Sequence, residues 1–139
     1  METLEPTSQR AKSRIRSAAV MFYLMAVVKL LALFTAMRPP VGAPTPPPPP
    51  HAQGALFAYY AATIVVCSAI GFTLERRLRW ARPAAFVVGG LHACALPLVL
   101  FGKLGIMSLI TGILGVMAVG SLLVASALEK VDESEPNKS

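Results

Sequence analysis

Acidic residues are almost absent from the middle of this chain. Only Glu75 stands between Glu5 and Glu129, although the sequence holds 7 Asp and Glu residues against 13 Lys and Arg. Charged residues of both signs make up 14% of the 139 residues, and 55% are hydrophobic. A soluble domain of this size leaves too much of its surface exposed to hide so much apolar material. The composition therefore predicts a single membrane-embedded domain.

The residues that most enzymes use for chemistry are also sparse. Cys67 and Cys94 are the only cysteines, each lies within an apolar run, and neither has metal-site spacing with a histidine. No paired carboxylates, nucleophile–base pair or glycine-rich phosphate loop occurs in a suitable context. We therefore expect no enzyme, no cofactor and no bound metal, and we interpret both cysteines as small packing residues.

Four segments with at most one charged residue are long enough to cross a bilayer, which requires about 20 mostly apolar residues. These segments are residues 18–37, 55–74, 84–101 and 104–128. They predict an all-α integral membrane bundle of four transmembrane helices. Two tails flank the bundle, a basic one at 1–17 and an acidic, disordered one at 129–139.

Basic residues predict how these spans are oriented. If both termini are cytoplasmic, every Lys and Arg outside the spans falls inside except Arg38 and Lys103. The prediction is an up-down-up-down bundle with both ends in the cytoplasm, and its compact design favours a bacterial inner membrane. The net charge of +6 then indicates contact with anionic lipid rather than with nucleic acid.

Arginines are predicted at the inner membrane interface, and aromatic residues at the outer one. Arg76, Arg77, Arg79 and Arg82 lie in the short inner loop 75–83, where we expect them among lipid headgroups. Aromatic side chains near the other ends of the spans, Tyr59 and Tyr60 among them, are expected at the outer interface.

Prolines concentrate in the predicted outer loop, residues 38–53. The run 46–50 favours an extended polyproline II conformation. We interpret this loop as a spacer between the first two helices. Recognition of the proline run by an aromatic groove of a partner is the alternative.

Small residues predict the faces at which membrane helices pack, because they let backbones approach closely. The stripes are Ala85, Gly89 and Ala93 in the third span and Gly105, Ser108, Gly112 and Gly115 in the fourth. Packing within the bundle is the expected use of these stripes, and self-association of the chain is the alternative. The expected partners are thus the lipid bilayer and either another membrane protein or a second copy.

A lysine lies near the middle of the first span. Lys29 has no Asp or Glu in any span to pair with, and a lysine at that depth costs about 2.5–3.5 kcal/mol on insertion scales. His92 lies at similar depth in the third span, where Pro97 leaves the carbonyl of Ala93 without its helical partner. We expect a polar pocket of Lys29, His92 and that carbonyl, with Cys94 nearby. Alternatively, Lys29 snorkels along its stem and His92 is a neutral packing residue.

Two functions agree with these features. The first is an accessory, structural or assembly subunit that acts through helix–helix contacts. The alternative is a small transporter or channel with its polar site at Lys29 and His92.

Overall fold

The computed structural model describes residues 7–37, 49–101 and 105–134, and all regular elements within them are α-helices. The helices are α1 (Thr7–Met37), α2 (Pro50–Glu75), α3 (Ala81–Ala93), α4 (Ala95–Leu100) and α5 (Ile106–Ser134). Four stretches are long and apolar enough to cross a membrane: α1, α2, Ala81–Val99 and Ile106–Val131. The predicted all-α chain with four such segments is confirmed.

Three helices are longer than the predicted spans. α1 begins at Thr7, because Ala11 and Ile15, one turn apart, are buried in the bundle. α2 begins at Pro50, since a proline is tolerated in the first turn, where its missing N–H would have no helical partner. α5 continues to Ser134.

These extensions change the predicted tails and loops. Residues 7–17, 50–53 and 129–134 are helical, whereas the sequence predicted them as tail or loop. The rest of the proline-rich loop, residues 38–48, lies outside the described residues.

The third predicted span consists of two helices rather than one. α3 ends at Ala93, α4 begins at Ala95, and Cys94 lies between them. Pro97 follows four residues after Ala93, lacks the N–H that would bond to the Ala93 carbonyl, and brings its ring against that carbonyl. The break is therefore the local consequence of one proline.

The helices α1 and α5 form the centre of the bundle. α1 packs against α2 and α5, whereas α3 and α4 pack against α5, and α2 meets α3 only sparsely. α1 and α2 are antiparallel, since Tyr23 contacts Glu75 and Lys29 contacts Tyr59. We call the end that holds the α2–α3 turn, residues 76–80, the turn end, and the opposite end the far end.

α2 stops in a Schellman motif at the turn end. The Leu78 N–H donates to the Thr73 carbonyl at 3.1 Å, and the Arg77 N–H donates to the Leu74 carbonyl at 3.0 Å. Arg77 has a φ of 54°, in the left-handed region where glycine is usual. This motif reverses the chain in a few residues and makes α2 and α3 a hairpin.

The core is packed most closely toward the turn end. Phe22, Met25, Leu74 and Leu122 are fully buried there. On α2 every buried residue lies in the second half, from Cys67 onward, whereas no residue of its first half is buried. The bundle is thus closed at the turn end and incompletely closed between α2 and α3 farther along.

Large apolar side chains cover the outside of the helices. Val65, Leu91 and Leu123 are 66%, 67% and 57% exposed, and many others on all four long stretches resemble them. Exposing such a surface to water costs about 25 cal/mol per Å², whereas hydrocarbon removes that cost. The exterior is therefore typical of a bundle whose solvent is lipid.

Candidate functional site

A cleft of about 410 Å³ lies between α2 and α3, toward the far end of the bundle. Most of its lining is apolar. Its lining includes Lys29 of α1, Ala62 and Val66 of α2, Leu91 and His92 of α3, and Ser108 of α5. Each of the long helices therefore contributes to one concave site.

The cleft opens on the side of the bundle rather than at one of its ends. Val66 and Leu91 lie on the two facing helices and are 43% and 67% exposed. Both residues lie well inside the predicted spans 55–74 and 84–101. A molecule that reaches the cleft in a bilayer would therefore enter laterally, from the hydrocarbon.

Lys29 is buried, with only 7% of its surface exposed, and it contributes to the lining of the cleft. Its Nζ lies 5.6 Å from the ring centroid of Tyr59 and 5.9 Å from that of Tyr60, and the two rings meet edge to face. Each cation–π contact contributes about 0.5–2 kcal/mol, and both distances lie near the ~6 Å limit of such contacts, so the two rings offset only part of the ~3 kcal/mol cost of a lysine at mid-membrane depth. No carboxylate lies within ion-pair distance of Lys29 in the described part of the chain.

His92 lines the same cleft and is half-buried. Its Nδ1 lies 2.9 Å from the carbonyl oxygen of Val88, one turn earlier on α3. Because a carbonyl only accepts, Nδ1 carries the proton in this contact, and a neutral His92 then has its lone pair on Nε2. The structure thus brings Lys29 and His92 to one site and fixes the imidazole through its own helix.

The other two residues predicted for the polar pocket lie elsewhere. Neither Ala93 nor Cys94 lines the cleft, and Cys94 is exposed at the α3–α4 break. Two residues beyond His92 a helix has turned by about 200°, so Cys94 faces away from it. Ala93 instead lies beside Gly115 of α5.

Glycines bring α3 and α5 into close contact next to the cleft. A Cβ on Gly115 would lie 2.7 Å from the carbonyl oxygen of Gly89, and one on Gly112 would lie 3.2 Å from the carbonyl oxygen of His92. Backbones approach this closely only where a side chain is missing. Ala85, also predicted as a packing residue, is fully buried.

Two residues of the predicted packing stripe are not at this contact. Gly105 has open space around it among the described residues, and Ser108 faces the cleft. Of the predicted stripe, Gly112 and Gly115 therefore form the close contact with α3.

The arginines predicted among lipid headgroups lie at the turn end. Arg76, Arg77 and Arg79 are exposed. Arg82 instead makes a bidentate ion pair with Glu129, with nitrogen–oxygen distances of 2.5 and 2.6 Å. This pair joins the start of α3 to the last turns of α5, so Glu129 belongs to the bundle rather than to a disordered tail.

The contact between Lys29 and the two tyrosines was not anticipated from the sequence, which indicated an outer interface for Tyr59 and Tyr60. The positions of these residues in the sequence nevertheless indicate the contact. α1 and α2 are neighbours in sequence and antiparallel, and Lys29 lies in the second half of its span while Tyr59 lies early in the next. The long stem of a lysine bridges the remaining difference in depth.

Comparison with known proteins identifies no relative: no protein-family model, curated protein or solved structure matches this chain. Among the described residues, no group of three or more His, Cys, Asp or Glu side chains is placed to hold a metal ion. The cleft and the helix contacts are therefore the features of the molecule that bear on its function.

Proposed function

We propose that this chain is a multi-pass membrane protein that serves as a non-enzymatic accessory subunit and binds a partner through helix–helix contacts. The apolar exterior of the bundle supports insertion into a bilayer. The exposed arginines at the turn end support an orientation with that end and both termini in the cytoplasm. A bacterial inner membrane is the proposed location.

The observation that carries this proposal is the incomplete closure between α2 and α3. Membrane helices associate by close packing against small side chains. Ala62 and Ala95 supply such side chains within the cleft, and Val66 and Leu91 flank it with exposed apolar surface. A helix of another membrane protein would complete the bundle at this position.

Site-specific photo-crosslinking in intact membranes tests the proposal. A photoreactive residue at Leu91 should form protein adducts, whereas one at Leu123, exposed on α5 away from the cleft, should not. Ala62→Phe fills the cleft and should remove the Leu91 adduct. Ala127→Phe, at an exposed position outside the cleft, is the matched control and should leave it. Equal adducts at Leu91 and Leu123 would contradict the proposal.

One observation favours a second function, a small transporter or channel: two titratable side chains, Lys29 and His92, line the same cleft. The fully buried side chains of Phe22, Met25 and Leu122 separate this cleft from the turn end. Transport would therefore require the core at that end to open.

Thiol accessibility discriminates between the two functions. Ser108 lines the cleft, so Ser108→Cys, in a chain with Cys67→Ser and Cys94→Ser, reports whether water reaches it. Modification by a membrane-impermeant thiol reagent in intact membranes supports a transport path. Protection until detergent is added supports the accessory subunit.

A further inference from the structure

We propose that the occupant of the cleft is a transmembrane helix of a different protein, with an Asp or Glu side chain that pairs with Lys29. This inference rests on the proposed accessory function and specifies the chemistry of the partner.

The charge of Lys29 is the first argument. Lys29 is 93% buried and lines the cleft, and in the part of the chain that the structure describes its Nζ lies over the rings of Tyr59 and Tyr60 with no carboxylate in ion-pair distance. Those rings offset only part of the cost of placing an ammonium group in hydrocarbon. Ionisable groups within membranes usually pair with a group of opposite charge, and a carboxylate provides both the charge and the hydrogen-bond acceptor that a ring lacks.

The described part of the chain places no carboxylate beside Lys29. None of its four predicted spans contains Asp or Glu. Glu75 accepts a hydrogen bond from Tyr23, and Glu129 pairs with Arg82, both at the turn end. A second copy of the chain therefore has no acidic residue at the depth of Lys29, which argues for a partner of different sequence.

The shape of the cleft is the second argument, because it favours a helix. The opening faces sideways, between Val66 and Leu91, so the occupant arrives through the bilayer. The small side chains of Ala62 and Ala95 allow a neighbouring backbone to approach closely. A carboxylate on that helix would then extend toward the Lys29 ammonium in apolar surroundings, where opposite charges attract strongly.

Binding of synthetic helices tests this inference on the full chain in phosphatidylcholine vesicles. The probes are single-span leucine–alanine helices that differ only at the central residue, which is Glu, Gln or Leu. Resonance energy transfer between a labelled probe and the labelled protein measures the dissociation constant. We expect the Glu helix to bind about tenfold more tightly than the Leu helix, with the Gln helix between them.

Three variants test whether the preference for the Glu helix depends on the charge of Lys29. Lys29→Met should abolish the preference for Glu, Lys29→Arg should keep most of it, and Lys130→Met, at an exposed lysine outside the cleft, should leave it unchanged. Ala62→Phe retains Lys29 but fills the cleft, so it should weaken binding of all three probes. Far-UV circular dichroism on each variant shows that the helices remain folded.

Several results would overturn the inference. Equal binding of the Glu and Leu helices by the wild-type chain is one, and an undiminished Glu preference in Lys29→Met is another. A third is that oleate binds the wild-type chain about tenfold more tightly than Lys29→Met while the Glu helix shows no preference. The cleft would then hold a free amphipathic anion.

The crosslinking experiment separates this inference from the proposed function. Leu91 adducts that persist unchanged in Lys29→Met would leave the accessory function standing and refute the pairing. Absence of Leu91 adducts in the wild-type chain would refute the accessory function itself.

Discussion

The carbonyl oxygen of Gly89 faces Gly115 so closely that a Cβ on residue 115 would lie 2.7 Å from it. This contact sets the distance between α3 and α5, and α3 is one wall of the cleft. The spacing of the helices and the shape of the candidate site therefore depend on the same glycine.

Substitution of Gly115 by alanine should destabilise the bundle. The new methyl group would meet backbone, which has no flexible end to move, so we expect a loss of about 1–3 kcal/mol in the free energy of unfolding. Gly120→Ala is the matched control on the same helix, since its Cβ would meet nothing within 4 Å. That control should gain up to about 1 kcal/mol from helix propensity. Denaturant titration in detergent micelles measures both, and equal stability of the two variants would refute the close contact.

The contact between Lys29 and Tyr59 should appear as a coupling energy. In a double-mutant cycle of Lys29→Met with Tyr59→Leu, we expect a coupling of about 0.5–2 kcal/mol in the free energy of unfolding, because the ring attracts the ammonium. Tyr59→Phe keeps the ring and should keep most of the coupling. Phe57→Leu, at an exposed aromatic residue of the same helix, should show none with Lys29→Met. A coupling energy of zero between Lys29→Met and Tyr59→Leu would argue against the cation–π contact.

The ion pair between Arg82 and Glu129 should stabilise the closed turn end by a small amount. Its side chains are 35% and 38% exposed, so a cycle of Arg82→Ala with Glu129→Ala should give a coupling of about 0.2–1 kcal/mol, smaller at high salt. Arg82→Lys should lose part of this coupling energy, because lysine lacks the planar guanidinium whose two nitrogens bind both carboxylate oxygens. Arg79→Ala is the control and should show no coupling with Glu129→Ala. A coupling of zero for Arg82 at low salt would contradict the prediction.

Arg77→Gly should stabilise the α2–α3 turn. Arg77 has a φ of 54°, which costs a residue with a Cβ about 1–2 kcal/mol more than glycine. We expect the free energy of unfolding to rise by about 1 kcal/mol. Arg76→Gly removes the same charge at a position with a φ of −78°, so it should instead cost up to about 1 kcal/mol. A thermal melt of both variants in detergent gives the comparison, and the same sign for both would contradict the left-handed geometry at Arg77.

The sequence predicted some features of the site and not others. Lys29 and His92 stood out because each interrupts an apolar run, and the structure places both in one cleft. Cys94 did not join them, since a helix turns too far between positions 92 and 94. Tyr59 was assigned to an interface because aromatic residues near span ends are common there.

The local amino-acid sequence determined where the helices of this protein form and where they break. Apolar runs with at most one charged residue specify four helical segments, Pro97 breaks the third, and Gly89, Gly112 and Gly115 mark where helices approach. Only tertiary structure decided that α2 and α3 separate along the first half of α2, before Cys67, that Lys29 meets Tyr59, and that Arg82 meets Glu129. Those contacts depend on how each helix is rotated about its axis and on how far it lies from its neighbours. Because nearly every face of these helices is apolar, hydrophobic periodicity constrains neither the rotation nor the distance.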